Sequence, residues 1–558
     1  MNANPLSDIL TILNKKNTSD LWVTCSYLSC ISVFDNTYGN GMCALFPALN
    51  FDKVNSLCKL ILKANSRDYK VHKLSGSEFL TISSLLLDIK TKDSIPLITN
   101  SDFVFQDFIF KIANSQFRFQ QTEIERTLGR NYALLVHYAK ERETDLRSLL
   151  KDGYIDIENT LLEKNQIKPE VFLFLGYLFL AFFKREFIKY NFITDTIKNE
   201  ILKITDDKSK IDFCYELIRN IIDNIKPITN LFVFRVDREV APHPILNNSN
   251  FISFLNIIAK STKDLQQIIA KEKAFRIGNI SEQVSALERF PVVKLNENEF
   301  VIPDIPIYLE SFPLVLHFTL QDYFPQPSNN YNNQMGYLQE FYLEDLFKNS
   351  LNKLPLIPET TYKIGKDKWE GPDFTIQDKN KRLILIESKS KRFSAKTRVL
   401  IEKQDLEYDL ERVFKALKKL PQKHNHMYEN LIEYSTHQHI FDISKNIPPL
   451  FVVLVSGGLE FLPQIINSYI QSNPEHFLNK EFKSPYCIID IQDFEYAVEV
   501  ASQTNNLLSD LLENYWLYAE SYFTSDTPEF NIYSYQIDYD KCFAVKFFKD
   551  MQKKLMGY

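Results

Sequence analysis

The spacing of apolar and polar positions changes along this chain, and each change predicts a different kind of element. In the first 110 residues the periods are mixed. Leu6–Leu13, Phe51–Ala64 and Ser77–Ile89 have helical spacing. Leu21–Phe34 is rich in Val, Ile, Tyr and Cys and reads as strands, and Tyr69–Leu74 reads as extended chain. Residues 1–110 are therefore expected to form a small α/β or helical unit. From 111 to 330 the spacing is mainly helical, over Glu123–Leu150, Pro169–Tyr190, Asp195–Ile204, Lys210–Ile225 and Asn250–Ala274. Pro291–Tyr308 reads as short strands and turns. Gln-Pro-Ser-Asn-Asn-Tyr-Asn-Asn, ending at Asn333, is turn-forming and polar and marks a border.

Beyond that border the pattern alternates between the two periods. Gly336–Leu354 places apolar residues at Leu338, Phe341, Tyr342, Leu346 and Phe347, an amphipathic helix. Strand patterns follow at Thr361–Ile364, Phe374–Gln377 and Leu383–Ile386, the last two joined by Asp378-Lys379-Asn380, residues that favour tight turns. Leu406, Leu410, Val413, Phe414, Leu417 and Leu420 form one helical stripe suited to lying on a sheet. A strand at Pro448–Val455, a helix at Leu459–Ile470, a strand at Tyr486–Ile491 and a helix at Phe494–Ala501 complete a domain over 331–503. Residues 504–558 read as a helical, aromatic-rich tail packed on it.

The hairpin at 373–389 carries the chemistry. Side chains two apart on a strand share a face, so Glu387 and Lys389 point the same way. Folding back at the turn brings Asp373 opposite Ile386 or Glu387, depending on register. Two carboxylates and a lysine then converge at one end of the hairpin. The strand reads as buried on both faces, where carboxylates are costly unless paired or bound to a cation. Oxygen ligands of this kind suit Mg²⁺, which takes one or two carboxylates and keeps several waters.

Pro372-Asp373 followed by Glu387-Ser388-Lys389 at the end of the next strand resembles the PD-(D/E)XK nuclease superfamily. The resemblance covers about residues 336–500. It implies a restriction-endonuclease-like αβββαβ core; with the helical spacing before the border, the chain is expected to be α+β or α/β and multidomain, a mostly helical N-terminal region followed by that core. It also implies metal ligation by Asp373 and Glu387, and a catalytic group of Asp373, Glu387, Lys389 and Glu340. In this reading Lys389 positions the attacking water. Glu340 lies four residues after Gly336, on the leading helix, with Glu344 one turn on. Gln404-x-x-x-Tyr408 resembles the Gln-x-x-x-Tyr element of the RecB-type branch. The implied cofactor is Mg²⁺, with Mn²⁺ as a substitute. The implied partner is nucleic acid, DNA before RNA on family grounds, held by Lys391, Arg392, Lys396, Arg398 and Gln404. A nuclease joined to a helical recognition region is compatible with restriction or anti-phage defence. The alternative is a nuclease-like module that binds nucleic acid or protein and does not cut. A protein partner through the N-terminal helical region and an oligomer are both open.

Composition narrows the class further. The 558 residues are 45% hydrophobic and 24% charged, ordinary globular values, with a net charge of −6. A nucleic-acid enzyme then needs a local basic footprint, and residues 379–403 supply one, Arg382 included. Seven scattered cysteines without Cys-x-x-Cys spacing predict neither a disulfide framework nor a zinc ribbon. No Gly-Lys-Ser/Thr phosphate loop occurs. Val171–Phe183 is too short an apolar run to cross a bilayer, and Met1–Lys16 lacks the pattern of a signal peptide, so a cytoplasmic protein without membrane contact is expected. His424-Asn425-His426 and His437-Gln438-His439 read as parts of an exposed polar connection.

Overall fold

A computed structural model describes residues 5–34, 73–82, 121–189, 207–224, 232–236, 248–271, 285–324, 330–351, 353–389, 403–429, 447–456, 475–480, 484–521 and 532–557, with isolated positions near 57–64, 85, 203–204 and 466–482. The fold is mixed α+β and mostly helical. The chain forms two compact units. One comprises Met1–Ile124, Ile157–Tyr323 and Met551–Tyr558; the other comprises Glu125–Asp156 and Phe324–Asp550.

The first unit is built on long apolar helices. Thr18–Phe34 is one of them, where the composition predicted strands. Residues 21–30 are buried all round, with Trp22, Tyr27 and Leu28 at 0% exposure, so no polar face marks the helical period. Helices Pro169–Lys189 and Ile305–Tyr323 pack through aromatic rings. Phe312 stacks on Tyr308 at 5.4 Å and on Phe172 at 5.6 Å. The stretch expected as one helix from Asn250 is broken: Asn248–Ile258 and Thr262–Lys271 flank strand β2 (Ala259–Ser261). With β1 (Phe234–Arg235), β3 (Val292–Lys294) and β4 (Glu299–Val301) it forms a small sheet of order β1-β4-β3-β2. Among the described residues no single helix is long and apolar enough to cross a membrane.

The second unit is organised by a five-stranded sheet of order β11-β10-β9-β8-β5. Its strands are β5 (Leu356–Pro358), β8 (Phe374–Gln377), β9 (Leu383–Lys389), β10 (Leu450–Val455) and β11 (Tyr486–Asp490). β5, β8 and β9 pair antiparallel, while β9, β10 and β11 pair parallel. The apolar runs of β9 and β10 are buried throughout, as strands covered on both faces must be. Each buried Leu, Ile or Val there contributes roughly 1.5–3 kcal/mol. Thr361–Ile364 is a strand, β6, but it pairs only with β7 (Asp367–Glu370) in a separate ribbon. The main sheet takes β5 instead, and the ribbon turns through the left-handed Gly365 (φ 62°).

Pleat alternation shows which helices cover which face. Phe374 and Ile386 are direct partners and share a face. Phe347 of helix Asn330–Ser350 meets Phe374 at 5.1 Å and Phe494 of helix Ile491–Gln503 at 5.8 Å. Leu385 and its partner Phe451 belong to the opposite face, where His424 of helix Lys403–Glu429 approaches Phe451 at 6.0 Å. His424 and His426 thus lie on this helix, which runs through Pro421 to Glu429, and not in a polar connection. His426 is held between Trp369 at 4.5 Å and the Tyr362 hydroxyl at 3.0 Å. His437 and His439 lie outside the described residues.

The segment from Gln121 is interrupted by a π-helical turn, Ala133–Tyr138. Tyr138 donates to Asp345 at 2.9 Å, which ties the turn to helix Asn330–Ser350. Arg130 pairs at 2.8 Å with Glu495, which is 2% exposed, on helix Ile491–Gln503. The last residues form two helices, Leu508–Ser521 and Phe543–Met556.

Candidate active site

The hairpin turn sets the geometry. Asp378 accepts the Lys379 N–H at 2.8 Å, Asn380 accepts that of Arg382 at 3.0 Å, and Lys381 takes the left-handed conformation (φ 67°). The resulting register pairs Phe374 with Ile386. One step further along, Asp373 stands opposite Glu387, on the face that carries Leu385. The Asp373 Oδ2 accepts the Ser388 N–H at 2.6 Å.

Glu387 is 5% exposed, and a buried carboxylate needs partners. It has two. Lys389 donates to Oε2 at 2.8 Å. Lys423, from helix Lys403–Glu429, donates to Oε1 and at 2.7 Å to the Gly371 carbonyl.

Glu340 reaches the same end of the sheet from the helix on the other face. Its neighbour Gln339, 5% exposed, fixes that helix to two strands. The Gln339 amide N–H donates to the Ser388 hydroxyl at 2.7 Å, and its oxygen accepts from the Ser456 hydroxyl at 2.5 Å. Ser388 is the penultimate residue of β9 and Ser456 follows β10. Glu344 belongs elsewhere, paired with Lys348 at 2.5 Å.

These carboxylates affect one another's ionisation. Burial pushes Asp373 up to about 6, and the Glu387 charge adds to this against the pull of Lys389. Burial raises Glu340 to about 8, reinforced by Asp373 and Glu359. Glu359, on the exposed stretch after β5, is also raised, first by partial loss of water around its carboxyl and then by Asp373 and Glu370. Burial works against the charge on Lys389, but Glu387 and Asp373 outweigh it and raise its pKa. Four carboxylates thus stand near two lysines, and burial first, with repulsion between neighbouring carboxylates second, raises Asp373, Glu340 and Glu359 above the usual carboxylate range.

A donor set of oxygens with excess negative charge fits a hard divalent cation. Among the described residues no three His, Cys, Asp or Glu side chains are already arranged around one point to hold a metal. Mg²⁺ does not require three, since one or two carboxylates and water suffice.

The structure brings Asp373, Glu387, Lys389 and Glu340 together. Lys391, Arg392, Lys396 and Arg398 lie outside the described residues. Gln404 lies in the first turn of helix Lys403–Glu429, and Tyr408, one turn on, is 65% exposed. Arg382 is not part of a basic footprint: it is buried, bonded to Glu513 at 2.5 Å and to the Pro448 carbonyl at 3.1 Å. Sequence reasoning missed Lys423, Gln339 and Glu359. Lys423 did carry a signal, because it falls three residues after Leu420 and prolongs the apolar stripe. Gln339 and Glu359 carried none. Comparison of the chain with family models, with curated proteins and with solved structures finds no match.

Proposed function

We propose that this chain is a metal-dependent nuclease of the PD-(D/E)XK kind, hydrolysing phosphodiester bonds in nucleic acid, with DNA the preferred substrate. One observation carries the reading: Asp373 and Glu387 face each other across the ends of β8 and β9, with Lys389 on Glu387. The order of elements supports it. A helix bearing Glu340 leads into an antiparallel β5-β8-β9 meander, and helix Lys403–Glu429 then crosses to the parallel strand β10. With the β6-β7 ribbon as an insertion between β5 and β8, this order is compatible with the αβββαβ core that the motif implies.

In this mechanism Asp373 and Glu387 would hold Mg²⁺ or Mn²⁺. When bound, the ion lowers the pKa of a water and neutralises charge developing on the phosphate. Lys389 donates to the nucleophile and orients it along the line of attack. Glu340 completes the negative rim, and the basic residues Lys391, Arg392, Lys396 and Arg398 hold the backbone phosphates.

The test is cleavage of plasmid DNA, single-stranded DNA and RNA with Mg²⁺, Mn²⁺ or EDTA. The wild-type chain is expected to cut with either metal and to stop in EDTA. Asp373→Ala and Lys389→Ala are expected to lose at least about 100-fold in rate while keeping the wild-type circular dichroism. Full activity in either folded variant refutes the assignment. Binding of nucleic acid without cleavage in any metal would favour the non-cutting module.

A further inference from the structure

Glu387 is held by two lysines, and the proposed chemistry uses only one. Lys389 is the more exposed of the two, its side chain 33% exposed at the end of a strand. Lys423 is 12% exposed and fixed at two points, the Glu387 Oε1 and the Gly371 carbonyl, two residues before Asp373. It therefore clamps the turn that carries Asp373 to the strand that carries Glu387. Without it, one lysine would face Asp373, Glu387, Glu340 and Glu359.

We infer that Lys423 is the resident counter-ion of the carboxylate cluster: it keeps Asp373 and Glu387 assembled when no metal is bound and lowers the site's affinity for a divalent cation. The inference rests on the reading of Asp373 and Glu387 as cation ligands. A fixed positive charge bonded to one oxygen of Glu387 repels any cation held by the other. Both charges sit in a partly buried setting, where water screens them weakly. Lys423 is tied to two partners and is less exposed than Lys389. Lys423 is thus a positioning residue that also sets how much metal the site needs.

The experiment measures Mn²⁺ binding by calorimetry and by electron paramagnetic resonance, with thermal melting, on full-length protein. Lys423→Gln retains a donor for the Gly371 carbonyl, Lys423→Met removes both contacts, and Lys423→Arg keeps the charge. Lys423→Gln and Lys423→Met are expected to bind Mn²⁺ on the order of ten-fold more tightly than wild type. They are expected to melt at lower temperature without metal and to gain more from its addition. Lys423→Arg is expected to match wild type. Unchanged or weaker Mn²⁺ binding by folded Lys423→Gln overturns the inference, and that variant keeps the test decisive if Lys423→Met does not fold. Asp373→Ala separates the two readings. If it binds Mn²⁺ as wild type does, or if wild type binds none, the nuclease reading fails and the role of Lys423 fails with it. If Asp373→Ala loses binding while Lys423→Gln equals wild type, only the role of Lys423 fails.

Discussion

Replacing Gln339 with Leu should weaken the sheet-bearing unit and misplace Glu340 at the same time. Gln339 makes two side-chain hydrogen bonds, at 2.7 Å to Ser388 and 2.5 Å to Ser456, and its own side chain is buried. Leu preserves the volume but makes neither bond. Each lost bond costs about 1 kcal/mol net, and the Ser456 hydroxyl, buried beside β10, is left without this partner at a further cost of about 1 kcal/mol. The expected total is about 2–3 kcal/mol. Urea unfolding measures it. In a Trp22→Phe background the two remaining tryptophans, Trp369 and Trp516, both lie in the unit that holds the sheet, so fluorescence follows that unit alone. A double-mutant cycle with Ser388→Ala should give a coupling of about 1 kcal/mol. On the proposed function, cleavage should fall about 10- to 100-fold, because a displacement of roughly 1 Å at a catalytic group has that effect. A Gln339→Leu variant within about 0.5 kcal/mol of wild type, or a cycle without coupling, would show that this amide does not anchor the helix.

Two further predictions concern stability. Burial lowers His424 from its usual value near 6.5 to about 4, so the folded protein holds it neutral while the unfolded chain protonates it below 6.5. Its contribution is complete above pH 6.5 and falls by about 1.4 kcal/mol per unit towards pH 4, to a total of about 3 kcal/mol at most. The difference in unfolding free energy between wild type and His424→Gln should therefore vary with pH across that window, and a constant difference would refute it. In the other unit, a Cβ on Gly176 would lie 2.1 Å from the Phe312 ring, which Tyr308 and Phe172 hold in place by stacking. Gly176→Ala should destabilise by about 1–3 kcal/mol through overpacking, although alanine is the better helix former by about 1 kcal/mol. An equal or higher melting temperature would show that the ring can move.

The elements most legible in the sequence are those with one wet face or one strict period. Helix Lys403–Glu429 has a clean apolar stripe, and strands β8 and β9 are set off by Asp378 and Asn380, residues that make a tight turn in any context. Helix Thr18–Phe34 was illegible for the opposite reason. Its residues 21–30 are buried on every side, and an apolar run with β-branched and aromatic residues reads equally well as strand. The choice between β5 and Thr361–Ile364 as the sheet's edge was also hidden, because strand pairing is a contact between distant residues and leaves no local mark.

The candidate site divides in the same way. The sequence by itself determined that Glu387 and Lys389 share a face and that Asp373 returns to their end of the hairpin. Alternation and turn chemistry are local properties of the backbone. Only the tertiary structure decided the register that sets Asp373 against Glu387, and brought Lys423 from a helix 36 positions further on to the second oxygen of Glu387. Only packing joined Gln339 to Ser388 and Ser456. Those contacts depend on which faces of the sheet the helices cover, and that is settled by burying apolar surface over the whole unit, not by any short stretch of chain.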